Sequence, residues 1–304
     1  MPASPPSLLI VSGVLGAFGY ALLAGAMSGI LQSLAPEKER MGFNMRLSLF
    51  NQAGSAIGTG AGGYAINRFG SITTAIVSAC IALAIVPLLR ILASAARGNG
   101  ARRRTSPLTA SLEAFRYLVN EPQSFAAAVT VGLAFAVIQI TNLLLPGFVV
   151  HKLRGNGDLF GVLEMTAAIA GMAALAAGGC PPVARKMRGT TAVQGGAGGS
   201  LILLSLAPDA PAAIVLYCLA GMLWNLSRAA ANGHLLTVVD GAIIGRVQAF
   251  ATLLTGAFGV LIFLLPSMFP DTTEAHLYAA CGAAIVVAAA LMRLWASRGR
   301  TGPV

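Results

Sequence analysis

One carboxylate, Glu164, lies well inside a long apolar run, about one helical turn from the run's start. An ionisable side chain in such a segment marks a functional site by default. A carboxylate that takes up and releases a proton near neutral pH can couple proton movement to another event. Glu164 can instead reach the nearby headgroups, or pair with Lys152 or Arg154. Asn225 and Arg228 are three residues apart and share a helix face. They have the chemistry to hold an anion or to fix a gate, and Arg228 can equally snorkel toward water. Gln139 and Asn142 have the same spacing just before Pro146, where amides either bridge helices or line a cavity. Asn51 and Gln52 are weaker members of this class. Gly54, Gly58 and Gly62 fall four apart on one face, which suits close helix packing or a tight seal between conformations.

No enzyme constellation accompanies them. The chain has no G-x-S-x-G, H-E-x-x-H or G-x-x-x-x-G-K-[ST] run and no paired-carboxylate motif. Cys80, Cys180, Cys218 and Cys281 are scattered, as are His151, His234 and His276, so neither a disulfide framework nor a metal site is expected. No cofactor is implied. The lack of a phosphate-binding run argues against ATP as the energy source and leaves an ion gradient.

These residues need helices to position them, and the composition says what kind. Of 304 residues 56% are hydrophobic and 10% charged, where a soluble domain carries about 25% charged. A bilayer core accepts helices of about 20 apolar residues. Runs of that kind lie near Leu8–Leu31, Leu47–Ile66, Ile72–Leu92, Phe125–Leu145, Phe160–Gly179, Thr191–Leu206, Ala212–Ala231, Val247–Leu265 and Leu277–Leu294. The expected fold is therefore an all-α polytopic membrane protein of about nine spans. Thr191–Leu206 is the weakest, being short and opening on Gly195, Gly196, Gly198 and Gly199. Met1–Ser7 carries no Lys or Arg and the run after it is too long for a signal peptide, so an uncleaved first span is expected.

Charge orients the bundle. With the N-terminus outside and each span crossing once, one side receives Lys38, Arg40, Arg46, Arg97, Arg102–Arg104, Arg116, Arg185, Lys186, Arg188, Arg246, Arg298 and Arg300. The other receives Arg68, Lys152 and Arg154. Basic loops stay cytoplasmic, which predicts a multi-pass inner-membrane protein with a cytoplasmic C-terminus. The net charge of +10 then points to anionic headgroups rather than nucleic acid.

The long basic gap divides the chain into residues 1–95 with three spans, a cytoplasmic loop over 96–123, and residues 124–304 with six. Within the loop, Ser106–Tyr117 reads as a short amphipathic helix or as a solvated linker, with Leu108, Leu112 and Phe115 on one side. A faint repeat crosses the divide. Arg46-Leu47-Ser48-Leu49-Phe50 and Arg246-Val247-Gln248-Ala249-Phe250 each open a span, and each follows an acid, Glu37 or Glu39 in one case and Asp240 in the other. Arg46, Asp240 and Arg246 are therefore gate or loop candidates.

Three motifs carry a family resemblance. Gly54–Gly63 is similar to a glycine-rich antiporter motif, with Thr59 where a proline is expected. Gly178-Gly179 followed by Ala184–Gly189 looks like a basic loop that has lost its acid. Gly245–Ala249 is similar to G-R-V-x-[AS], and Glu113–Leu118 fits the same branch. Together they resemble the major facilitator superfamily, helices four to twelve, in the branch of siderophore exporters and macrolide efflux proteins. The resemblance implies two six-helix halves, so three helices are expected upstream, from a partner, or lost by truncation. It also implies proton-coupled export of a small molecule such as a siderophore or drug-like compound. The alternative is a truncated, non-transporting membrane protein or assembly partner.

Overall fold

A computed structural model of the chain describes Ile30 and residues 35–96, 107–179, 190–241 and 243–298. Among the described residues there are helices and no strands. After a short turn at Glu37–Glu39 come α1 (Arg40–Phe69), α2 (Ser71–Ala96), α3 (Pro107–Asn120) and α4 (Pro122–Gly147). The chain goes on through α5 (Gly157–Gly178), α6 (Thr190–Ser205), α7 (Ala210–Val238), α8 (Ile244–Met268) and α9 (Glu274–Arg298). Every expected span after the first falls on one of these helices, and Leu8–Leu31 lies almost wholly outside the described residues. Among the described residues, five helices are long and apolar enough to cross a membrane: α4 with its continuation to Lys152, α5, α7, α8 and α9.

The ends of the helices follow from local chemistry. Asn156 caps α5, its Oδ1 accepting from the backbone N–H of Asp158 and Leu159 at 3.2 Å. Asp209 caps α7 through Ala212 N–H at 2.9 Å. Pro122 stands in the first turn of α4, where a missing N–H costs nothing. Gly70 joins α1 to α2 at φ +81°, a conformation that glycine adopts without strain. At the far end of α4 the helix does not stop at Pro146 but widens into a π-turn over Phe148–Lys152.

The glycines of the weakest span have a plain reason. A Cβ on Gly198 of α6 would lie 2.8 Å from Gly282 O of α9, and one on Gly282 would lie 2.6 Å from Gly198 O. The two backbones touch, which lipid-embedded helices achieve only with small residues. A 16-residue helix holds its place because it packs backbone to backbone.

α4 is the most buried of the spanning helices, with α6–α9 packed around it, and α5 packs on α7. The main cluster joins Phe148 of α4's π-turn, Leu163 of α5, Leu201 of α6, Tyr217 of α7 and Tyr278 of α9. α3 is a docked helix, not a loose linker: Ala114 and Leu118 are buried against Leu235 and Leu236 of α7 and Val247 of α8. α1 meets this group through its first turns. Met45 is buried with Leu175 and Ala229, and Met41 packs on the backbone at Gly233. Further along α1, Phe50 is 72% exposed and Ile57 70%, on one face of the helix. The end bearing Lys38, Arg46, Arg116 and Arg246 is called the basic end below, and the opposite one the far end.

Candidate functional site

α5 and α7 run together through small residues. A Cβ on Gly221 would lie 2.6 Å from Ala167 O and 2.9 Å from its Cα. Such contact brings the polar groups on either side of it into a single seam. On the far side of Gly221, the hydroxyl of Tyr217 donates to Glu164 Oε1 at 2.7 Å. Tyr217 is buried and meets Trp224 edge-on, with ring centroids 5.8 Å apart. Glu164 is half-buried, so its carboxylate is held at one corner and reachable at the other. Neither Lys152 nor Arg154 forms an ion pair with it among the described residues. Tyr278 of α9, buried beside Phe148, has a hydroxyl with no hydrogen-bond partner among the described residues.

On the basic side of Gly221 sits Asn225, fully buried. Its Nδ2 donates to Gly221 O at 3.0 Å, and it fills the space that a side chain at Gly171 would need. Its Oδ1 accepts from Arg228 at 3.4 Å. The Arg228 guanidinium lies over the ring of Phe135, 6.0 Å from the centroid, which is cation–π range. Phe135 stands in the middle of α4, so Arg228 is held at mid-bundle instead of reaching to the basic end. Phe135 also begins an open groove of about 440 Å³ between α4 and α8, lined by Gln139, Thr255, Gly259 and Phe263. Gln139 thus faces the groove, while Asn142 is exposed and outside it. The seam offers a carboxylate, an amide and a guanidinium, and the guanidinium lies against Phe135, which also lines the groove between α4 and α8.

A second polar group closes the basic end. Asn44 of α1, buried, donates to Ala229 O of α7 at 2.7 Å. Asn232 Nδ2 of α7 donates to Asn44 Oδ1 at 2.9 Å, and Asn232 Oδ1 accepts from Gln248 of α8. Arg40 adds a bond to Leu236 O at 3.1 Å. Three helices are therefore tied through one asparagine. The two ends of the faint repeat, α1 and α8, both fasten to Asn232, one just before Arg46 and the other just after Arg246.

The remaining candidates are dispersed. Arg46 is exposed, its stem resting near Gly179, and Asp240 is exposed in the α7–α8 turn. Arg246 pairs with Glu113 of α3. Gln52 is half-buried and Asn51 exposed on α1. Gly54 has no described atom within 4 Å of where a Cβ would stand, and the surroundings of Gly58 and Gly62 lie outside the described residues. Tyr217, Asn44 and Asn232 were not singled out from the sequence. Asn232 had a signal: it follows Asn225 by seven residues and so shares its face.

The family model of the Major Facilitator Superfamily matches residues 1–264. The chain belongs to the Major Facilitator Superfamily. No curated protein matches it significantly. As a Major Facilitator Superfamily protein it is a multi-pass membrane transporter, and the family expected from the Gly54–Gly63 and Gly245–Ala249 motifs is the family found.

Proposed function

We propose that this chain is a secondary active transporter of the inner membrane that exports a small molecule, siderophore-like or drug-like, in exchange for protons. The basic end, with the C-terminus, faces the cytoplasm. Residues 1–95 and 124–304 act as the two moving parts, joined by 96–123. The observation that carries the reading is the Tyr217–Glu164 hydrogen bond, a half-buried carboxylate between spanning helices. Cargo occupies the groove beside Phe135 and Gln139, with its polar end toward Arg228 and Asn225.

The basic end is tied by the amide bonds around Asn232, which supports an outward-facing form. In that form Glu164 is reached from outside and takes a proton as cargo leaves. Neutralising the carboxylate removes a charge that is costly among spanning helices, so the two parts can rock and the amide tie at Asn232 can break. Inward, the proton is lost and new cargo binds. Gly54, Gly58 and Gly62 seal α1 against its partner during that movement.

The test is flux into and out of proteoliposomes, with a panel of siderophores and cationic dyes under an imposed pH gradient. Proton-driven flux of at least one compound, falling about tenfold or more in Glu164→Gln, is expected, a loss of ~1.4 kcal/mol or more of coupling. Flux that ignores Glu164→Gln would remove Glu164 as the coupling site. No flux of any compound in either direction would remove the transport mechanism itself.

A further inference from the structure

α3 has one more face than its docking explains. Ala114 and Leu118 point into the bundle. On the adjoining side Leu112, Phe115 and Val119, spaced i, i+3 and i+7, are 48%, 45% and 45% exposed. Arg116, also exposed, follows Phe115 directly. Lys38 and Arg46 are exposed at the same end of the molecule. Fourteen residues make a helix of about 21 Å, too short to cross a bilayer. A short helix with an apolar stripe edged by arginine suits the boundary between acyl chains and headgroups, and cations beside the stripe favour headgroups that carry negative charge.

α3 is also joined to the first turns of α8. Glu113 pairs with Arg246 in the first turn of α8. Two residues on, Gln248 donates to Asn232, the hub of the basic-end tie. Phe115 also packs on Phe250 of α8, with centroids 5.9 Å apart. A force that seats α3 therefore bears on α8 at the place where α8 fastens to α1 and α7.

We propose that α3 is a receptor for anionic phospholipid in the leaflet at the basic end. Leu112, Phe115 and Val119 enter the acyl boundary and Arg116 takes a headgroup phosphate. The Glu113–Arg246 pair passes this seating to the Asn232 tie, so anionic lipid holds the basic end closed. This goes beyond the transport reading and does not need the cargo to be known.

The test uses the full chain in nanodiscs of phosphatidylcholine alone or mixed with phosphatidylglycerol. Phe115→Trp is compared with its parent, whose Trp224 and Trp295 give the background, using lipids brominated near the top of the acyl chain. Extra quenching is expected in the mixed discs, at least twofold above that in phosphatidylcholine, and Arg116→Gln in the same background brings it down to the phosphatidylcholine level. Hydrogen exchange over residues 40–49 and 244–251 is expected to slow severalfold in the mixed discs, and Glu113→Gln abolishes that difference while the quenching stays. No added quenching in either disc would overturn the lipid contact, leaving the stripe for a protein partner. Equal quenching in both would overturn the recognition of charge. An exchange difference that survives Glu113→Gln would overturn the wiring.

Discussion

The two ends of the bundle hold themselves together by opposite means. At the basic end, neutral amides on three helices hand hydrogen bonds from one to the next, and α1 is gripped. Toward the far end a carboxylate meets a phenol within the α5–α7 pair. Amides hold the same bonds at any ordinary pH, so they suit a clasp that opens by motion. A carboxylate changes its charge, so it suits a trigger. On the proposed reading, latch and trigger lie at different depths of one helix, about 22 Å apart along α7 from Tyr217 to Asn232.

The comparison breaks most completely at the contact both ends share. Gly221→Leu should force α5 from α7 at Ala167, at a cost of about 3 kcal/mol or more for overpacking against backbone. The melting temperature in detergent should drop by several degrees, with the folded yield falling alongside. An unchanged melting curve would show that the helices do not meet there.

Asn232→Leu attacks the basic end alone. It leaves Asn44 and Gln248 buried without each other's bridge, a cost of about 1–3 kcal/mol. Spin labels at Phe43 and Val238, both exposed, should gain a longer-distance population, while a label pair at the far end stays as it was. A distance distribution identical to the parent's would mean that the tie does not hold the end closed.

Tyr217→Phe attacks the trigger alone and should cost about 1 kcal/mol. Proton-driven flux should fall by roughly fivefold, with the basic-end distances unmoved. Flux equal to the parent's would place the phenol outside the coupling. The smallest effect belongs to His151→Ala. His151 is 69% exposed, and its 2.8 Å contact with Glu274 joins α4's π-turn to α9. An exposed pair of this kind contributes below ~1 kcal/mol, so the melting temperature should move by no more than a degree or two. A shift as large as that of Gly221→Leu would mean that the far end carries a clasp of its own.

The spans were legible in the sequence because lipid enforces length and polarity on every crossing helix. Helix ends and depths were less so. The apolar run Ala212–Ala231 suggested that Arg228 lay near the end of its helix, yet α7 continues to Val238. Asn232 and His234 cut the apolar run short without ending the helix. In the same way, Leu47 opened the apolar run of α1 while the helix begins at Arg40, which hid Asn44. Polar residues that fasten helices together look, in a hydropathy reading, like the edge of the membrane. Glu164 could be found as an acid out of place, but its partner could not. A tyrosine on another helix gives no local sign of where its hydroxyl will point.

The mutual approach of Gly198 and Gly282 bears on how the molecule can flex. Where two main chains abut, there is no cushion of side chains to shear or compress. α6 and α9 then behave as a keel, and rearrangement is taken up where bulkier groups intervene. Larger residues on both glycines would fit the keel with a soft joint.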